Sequence, residues 1–141
     1  MQYWLFKSEP SEWSWVQQVE KGAVGEPWSG VRNFQAQRYM REMAVGDLGF
    51  FYHSGREREI VGVVRVVQSF QPDSTDETGR FGLVWVEAVH PLSSPVSLAQ
   101  IKAESVLSEM YLVRQSRLSV MPVTEAEWSQ IMFLSQDISG A

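Results

Sequence analysis

Short blocks of apolar and polar residues follow one another along the chain and predict a small sheet of several strands. The aromatic segment Gln2–Phe6 is typical of a strand that ends before Pro10. The segment Ile60–Gln68 is almost continuously β-branched, which predicts a strand covered on both faces. Further strands are predicted at Leu48–His53 and at Phe81–Val89, which ends at His90-Pro91, and weaker segments surround Leu112 and Leu118–Met121. A polar, turn-rich loop is predicted at Gln71–Gly79, between two strands.

Two helices are predicted in the first third of the chain. Ser11 is the predicted N-cap of a helix that ends near Gly22. A second helix runs from Asn33 to about Met43, because apolar residues recur there at helical spacing. The predicted inward faces are Trp15, Val16 and Val19 in the first helix, and Ala36, Met40 and Met43 in the second.

Two more helices are predicted in the last third. A short one covers about Ser97 to Lys102. Thr124 and Glu127 have the spacing of a capping box, which predicts the start of a final helix. Its apolar face consists of Trp128, Ile131 and Met132.

The order of these elements predicts the fold class. Short strands with helices inserted between them favour a small α+β barrel over a doubly wound sheet, and no βαβ rhythm with a glycine-rich phosphate loop is present. Apolar residues make up 44% of the chain and charged residues 21%, as in ordinary globular proteins. A length of 141 residues without repeats or long linkers predicts one domain over residues 1–141.

The composition excludes several kinds of site. The chain has no cysteine, which excludes disulfides, thiol nucleophiles and thiolate zinc sites. His53 and His90 are its only histidines, so we expect neither a metal nor a cofactor. The first apolar run is too short for a signal peptide, and no stretch reaches the roughly 20 apolar residues of a membrane span. These features predict a soluble, cytoplasmic protein.

The charge is unevenly distributed. A net charge of −5, from 12 basic and 17 acidic residues, argues against an indiscriminate nucleic-acid binder. Residues 28–65 nevertheless carry six arginines against four acids, and residues 110–123 carry two arginines and no acid. These stretches total +4, which leaves −9 for the rest of the chain. Nine of the 12 basic residues are arginine, which suits recognition of phosphate or carboxylate.

No pattern in the chain specifies a reaction. His53 and Ser54 are neighbours on a predicted strand, so their side chains point to opposite faces and cannot pair as base and nucleophile. Glu12 suits the first turn of a helix better than a carboxylate pair with Glu9. Motifs of serine hydrolases, phosphate loops, zinc proteases and dinucleotide-binding domains are absent.

Three segments concentrate side chains that suit a planar ligand. In WSGVRNFQAQ, at 28–37, Trp28 can stack on a base, Asn33 can hydrogen bond to its edge and Arg32 can meet an anion. The same residues also fit a structural role, as a buried tryptophan, a helix N-cap and a surface arginine. The segments KSEP at 7–10 and FFYHS at 50–54 place further polar side chains at the ends of strands.

The order of several segments resembles the EVE domain family of the PUA-like superfold. These segments are YWLFKSEP at 3–10, WSGVRNFQA at 28–36, GDLGFFYHS at 46–54, IVGVVRVV at 60–67, PD at 72–73, MYLVRQSRLSVMPV at 110–123 and the helix of Trp128. The resemblance implies an α+β fold, a PUA-like β-pseudobarrel of short, mostly antiparallel strands with helices packed around it. It also implies a non-enzymatic module that reads a modified base flipped into an aromatic pocket, such as 5-methylcytosine or 5-hydroxymethylcytosine in DNA, or a modified base in RNA.

The resemblance implies roles for individual residues. Trp28 would form a wall of the pocket, while Asn33 and Gln35 would read or frame the edge of the base. The other implied pocket residues are Lys7, Ser8 and Glu9 at the rim or floor, and Tyr52, His53 and Ser54 at the end of a barrel strand. The implied phosphate contacts are Arg32, Arg114, Ser116 and Arg117. The chain departs from the family at Phe34, where tyrosine is common, and at Gln37-Arg38, where Arg-Asn is common.

Two other functions stay open at this point. A PUA/ASCH-like ribonuclease would need an acid–base set, for which Lys7, Tyr52 and His53 are the available residues. A pocket for a nucleoside or another small molecule would need no polymer, and its affinity would hardly depend on salt. The sequence does not choose between DNA and RNA as partner, or between a monomer and a weak dimer.

Overall fold

The computed structural model describes residues 1–136, which form six strands and five α-helices. The strands are β1 Tyr3–Ser8, β2 Glu26–Pro27, β3 Leu48–His53, β4 Glu59–Pro72, β5 Gly82–Ser97 and β6 Val120–Val123. The helices are α1 Trp15–Glu20, α2 Phe34–Glu42, α3 Leu98–Lys102, α4 Tyr111–Arg114 and α5 Glu125–Leu134. Within residues 1–136, no helix has the length and apolar character needed to cross a membrane.

All six strands belong to one mixed sheet with the order β2-β5-β4-β3-β1-β6. Only β1 and β3 pair in parallel, with Leu5 opposite Phe50, and the other pairings in the described chain are antiparallel. The long strands β4 and β5 shift register at four points, and such bulges bend a sheet. This arrangement confirms the predicted α+β class with mostly antiparallel strands.

The predicted strand Phe81–Val89 does not end at His90-Pro91 as expected. His90 pairs with Val63 and Pro91 with Gly62, and β5 continues to Ser97. Proline lacks an amide hydrogen, but register shifts on both sides of this point interrupt the ladder and tolerate it. Strand β4 also extends beyond the predicted Gln68, to Pro72.

The predicted inward face of the first helix is right for Trp15, which packs edge-to-face on Phe51, and wrong for Val16 and Val19. Its N-cap is Ser14, not Ser11, and Ser14 forms a capping box with Gln17. Val16 and Val19 are 64% and 48% exposed, while Gln18 is fully buried. Burial of an amide is tolerated because the amide is satisfied: Gln18 donates to the Val86 carbonyl oxygen and accepts from the Trp13 indole N–H.

The predictions for the second and last helices are confirmed. Asn33 caps α2 by accepting a hydrogen bond from the Ala36 amide. Thr124 and Glu127 form the predicted capping box of α5. On α5, Trp128 stacks on Phe50 with ring centroids 3.9 Å apart, which fixes this helix against the centre of the sheet.

Candidate functional site

A cleft of about 540 Å³ opens where the end of β1 meets β2 and the loop before α2. Its volume falls within the roughly 300–1,000 Å³ that small-molecule pockets occupy. The lining residues are Lys7, Ser8, Glu9, Glu12, Trp13, Glu26, Pro27, Trp28, Ser29, Gly30, Val31, Arg32, Asn33 and Ser119. The structure therefore brings together six residues of the predicted site: Lys7, Ser8, Glu9, Trp28, Arg32 and Asn33.

Trp28 is a rigid wall of this cleft. Its amide donates to the Val84 carbonyl oxygen at 2.8 Å, just after the short pairing of β2 with β5. The indole packs edge-to-face on Phe6 and Phe51, with ring centroids 5.1 and 5.7 Å away. Because these contacts leave Trp28 only 8% exposed, the core holds its orientation and a limited part of its surface faces the cleft.

The loop at 29–33 forms a second wall and is fastened from two sides. Gly30, in the left-handed region at φ +80°, donates its amide hydrogen to Asp73 Oδ2 at 2.9 Å. The buried amide of Gln37 donates to the carbonyl oxygens of Val31, at 2.8 Å, and Gly82, at 2.9 Å. Gln37 belongs to α2, and Asp73 follows directly after β4. The loop at 29–33 is therefore held from two different elements before any ligand binds.

Asp73 also anchors Arg32. Its Oδ2 accepts from Arg32 Nη1 at 3.2 Å, and its Oδ1 accepts from the amide and the hydroxyl of Thr75. Burial alone would raise the pKa of Asp73, but the hydrogen bonds from Thr75, Gly30 and Arg32 outweigh it and lower the pKa. The side chain of Arg32 stays 40% exposed at the cleft.

Both signs of charge line the cleft. Lys7 Nζ donates to the Ser116 carbonyl oxygen at 2.9 Å, and burial lowers the pKa of Lys7. Together with Arg32 it faces three carboxylates, Glu9, Glu12 and Glu26. The lining therefore offers donors and acceptors to the edge of a ligand, while no group of three or more His, Asp or Glu side chains in residues 1–136 is placed to hold a metal.

The structure does not bring Tyr52, His53 and Ser54 into the lining of this cleft, where the resemblance implied them. The strand ends do meet, because Ser54 donates its amide hydrogen to the Ser8 carbonyl oxygen. His53 is covered by the start of α1: its Nε2 accepts from the Trp15 amide at 3.0 Å, and its Nδ1 lies 2.9 Å from Glu57 Oε2. Tyr52 is only 3% exposed, so both rings belong to the interior.

Four other predicted residues also lie outside the lining. Gln35 points along α2, where its amide donates to the Tyr39 hydroxyl. Arg114 pairs with Glu109 at 3.2 Å in a second cavity, formed around the start of β1 and the start of α5. Ser116 reaches the rim only through its carbonyl oxygen, which accepts from Lys7, and Arg117 is exposed beside it.

Trp13 is a lining residue that the sequence-based prediction missed. Its indole N–H donates to Gln18 Oε1, which fixes the ring beside the cleft. The sequence does place this tryptophan close to the predicted site, three residues after the KSEP segment. In the structure a turn brings Trp13 to the cleft, because the amides of Glu12 and Trp13 both donate to the Glu9 carbonyl oxygen. Two indoles, those of Trp13 and Trp28, therefore contribute to the lining.

A family model for the EVE domain matches residues 2–134. The chain belongs to the EVE domain family. Thymocyte nuclear protein 1 of Gallus gallus is 30% identical to this EVE domain over 172 residues, which covers 96% of this chain and 69% of the relative. The resemblance inferred from the ordered segments is thereby confirmed.

Solved structures share the fold of this EVE domain. An Agrobacterium tumefaciens protein superposes with a TM-score of 0.94 at 47% identity, covering 96% of this chain and 93% of the other. Human THYN1, in a crystal structure with DNA containing 5-methylcytosine, superposes with a TM-score of 0.91 at 27% identity, covering 97% of this chain and 99% of the other. The PUA-like architecture is therefore that of this chain as well.

Proposed function

We propose that this EVE domain is a non-enzymatic module that binds nucleic acid and holds one modified base, flipped out of its strand, in the cleft. The observation that carries the proposal is the preformed cleft with the indole of Trp28 in its wall. The similarity to human THYN1, whose structure contains 5-methylcytosine DNA, supports nucleic acid as the partner.

The lining suits both surfaces of a base. Aromatic rings accept the face of any base, and stacking contributes about 1–3 kcal/mol per base. Flipping a base out of a duplex costs a few kcal/mol, which one stacked ring and its edge contacts have to offset. Since that cost is smaller for an unpaired base, we infer tighter binding to single strands or mismatched positions.

The polar lining favours bases with an exocyclic amino group. Carboxylates accept hydrogen bonds from the cytosine amino group, and Glu9 and Glu26 lie in the cleft. A methyl group on the same base adds apolar surface beside an indole, worth about 0.8 kcal/mol when buried, or roughly fourfold in affinity. A methylated cytosine therefore fits the chemistry of the lining, and Arg32 at the rim is placed for the adjoining phosphate.

The ribonuclease alternative finds less support. Its acid–base set needs Lys7, Tyr52 and His53 around one substrate, yet only Lys7 lines the cleft. His53 Nε2 accepts the Trp15 amide hydrogen, so this nitrogen is not free to exchange a proton with a substrate. The geometry thus favours binding over catalysis.

A panel of oligonucleotides that differ in one base modification tests the proposal. We expect the modified strand to bind at least about fourfold more tightly than its unmodified twin, because a buried methyl group contributes that much. Raising the salt from 50 to 200 mM should weaken binding of a single strand roughly 20-fold if three phosphates are contacted. Fluorescence anisotropy at both salt concentrations measures both effects.

Two controls belong to this panel. The free modified nucleoside should bind with an affinity that hardly changes with salt; equal affinity for nucleoside and oligonucleotide would instead favour a small-molecule pocket. Strands recovered after titration should be intact, whereas cleavage that disappears in His53→Ala would establish the ribonuclease alternative. Equal binding of every strand in the panel would refute a modified-base reader.

A further inference from the structure

A pair of phenylalanines, Phe34 exposed and Phe81 half-buried, lies beside the cleft and does not line it. Phe34 is the first residue of α2, directly after Asn33, which lines the cleft. Its side chain is 69% exposed, although it is large and apolar. Its ring lies against that of Phe81, with centroids 5.4 Å apart and planes inclined by 32°.

Contacts of Phe81 with Arg32 and Asp76 hold the pair in place and connect it to the cleft. The guanidinium carbon of Arg32 lies 5.1 Å from the centroid of Phe81, within the range of a cation–π contact. Arg32 is itself held by Asp73 and Thr75 and lines the cleft. The amide of Phe81 donates to Asp76 Oδ2 at 2.8 Å, which ties its backbone to the loop after β4. The surface is therefore a rigid continuation of the cleft rim.

We propose that Phe34 and Phe81 form a second stacking surface, which holds a nucleobase adjacent to the flipped base in the bound strand. This inference rests on the proposed function. A flipped base leaves its neighbours without a stacking partner, and an aromatic ring at the rim of the cleft replaces that partner. Stacking on phenylalanine does not distinguish the four bases, so the surface adds affinity without adding sequence preference.

Charge near this surface fits a nucleic-acid strand. Arg38 lies four residues after Phe34 on α2, hence on the same side of the helix, and its side chain is exposed. Arg80 precedes Phe81 and is also exposed. A base stacked on Phe34 would bring its phosphates toward these cations; the carboxylate that lies beside Phe81 is that of Asp76, which accepts the amide hydrogens of Phe81 and Thr78.

The test compares Phe34→Ala with the wild type on an oligonucleotide with one modified base and on the free modified nucleoside. We expect Phe34→Ala to weaken oligonucleotide binding roughly 5- to 150-fold, which is the range for losing one stacked base. Nucleoside binding should stay within about twofold, since the nucleoside occupies only the cleft. Phe34→Trp should retain the affinity of the wild type.

Phe133→Ala is the matched control. Phe133 is 60% exposed on α5, and within residues 1–136 it takes part in no aromatic pair, so its removal should leave both affinities unchanged. A 2-aminopurine placed beside the modified base reports the contact directly. Its fluorescence should be quenched by the wild type and by Phe133→Ala, and much less by Phe34→Ala.

The outcomes separate this inference from the function on which it rests. If the wild type binds oligonucleotide and nucleoside but Phe34→Ala binds the oligonucleotide equally well, the second stacking surface is refuted and the reader stands. An equal loss of nucleoside affinity in Phe34→Ala also refutes it, because the effect would then act through the cleft. If the wild type does not distinguish modified from unmodified strands, both proposals fail.

Discussion

Replacing Trp28 with alanine should weaken binding of an oligonucleotide with the modified base by about 100-fold or more, because the stacking contact and the wall of the cleft are lost together. Titration of the folded variant against the wild type measures the change. Trp28 also packs on Phe6 and Phe51, so the same substitution should cost about 3–5 kcal/mol of unfolding free energy. Trp28→Phe keeps a ring in the core and should lose a smaller part of both stability and affinity.

Trp128 provides the matched control for this prediction. It is 9% exposed against 8% for Trp28, and it also packs between aromatic rings, those of Tyr3 and Phe50. It does not line the cleft. Trp128→Phe should therefore lower stability to a similar degree without changing affinity. Equal affinities for Trp28→Phe, Trp28→Ala and the wild type would show that the base does not lie against Trp28.

Asp73→Asn should lower both stability and affinity. Each oxygen of Asp73 accepts two hydrogen bonds, at least one of them from an N–H group, so an amide nitrogen at either position would face an N–H donor. We expect a loss of about 2–4 kcal/mol in unfolding free energy, typical of disrupting a buried, hydrogen-bonded carboxylate. Release of Gly30 and Arg32 loosens the loop at 29–33, so affinity should fall about tenfold or more. Denaturant unfolding and titration measure the two effects.

The pH dependence of stability gives the same prediction a second readout. The pKa of Asp73 is lowered in the folded protein, so its ionised form stabilises the fold above the ordinary value of 3.8 and this contribution is lost as the pH falls below it. Asp73→Asn should flatten part of the acid loss of stability. If the unfolding free energies of Asp73→Asn and of the wild type changed equally between pH 3 and 5, this result would contradict the role assigned to Asp73.

Asp47→Asn separates stability from binding. Asp47, directly before β3, is likewise buried and accepts from the Trp4 indole and from the amides of Gln2 and Ala44. It does not touch the cleft loop at 29–33. This variant should lose stability like Asp73→Asn and keep the affinity of the wild type. A comparable loss of affinity in both variants would indicate general destabilisation as the cause.

Local patterns in the sequence were sufficient where a short segment determines its own structure. Strand β3 has its predicted bounds, because Gly46 and Asp47 turn the chain just before a run of apolar residues. The caps of α2 and α5 were also predictable, since a capping side chain bonds within three residues of itself. The grouping of Lys7, Trp28 and Asn33 into one predicted site came instead from the resemblance to the EVE domain family.

Contacts between distant segments account for what the sequence did not predict. Gln18 is buried because it donates to Val86, and Gln37 is buried because it bridges Val31 and Gly82, yet a polar residue on a helix ordinarily indicates the solvent side. His53 faces α1 because the Trp15 amide lies over the end of β3. The position of α1 depends on contacts with distant strands, so the spacing of residues within one segment does not predict it.

A crystal structure of this EVE domain with the oligonucleotide that binds best in the panel tests whether the modified base lies in the cleft against Trp28. We predict one base turned out of the strand and in van der Waals contact with the indole, at roughly 3.5–4.0 Å, with Arg32 toward its phosphate. A bound strand whose bases all remain stacked outside the cleft, or that lies on another face of the protein, would contradict it.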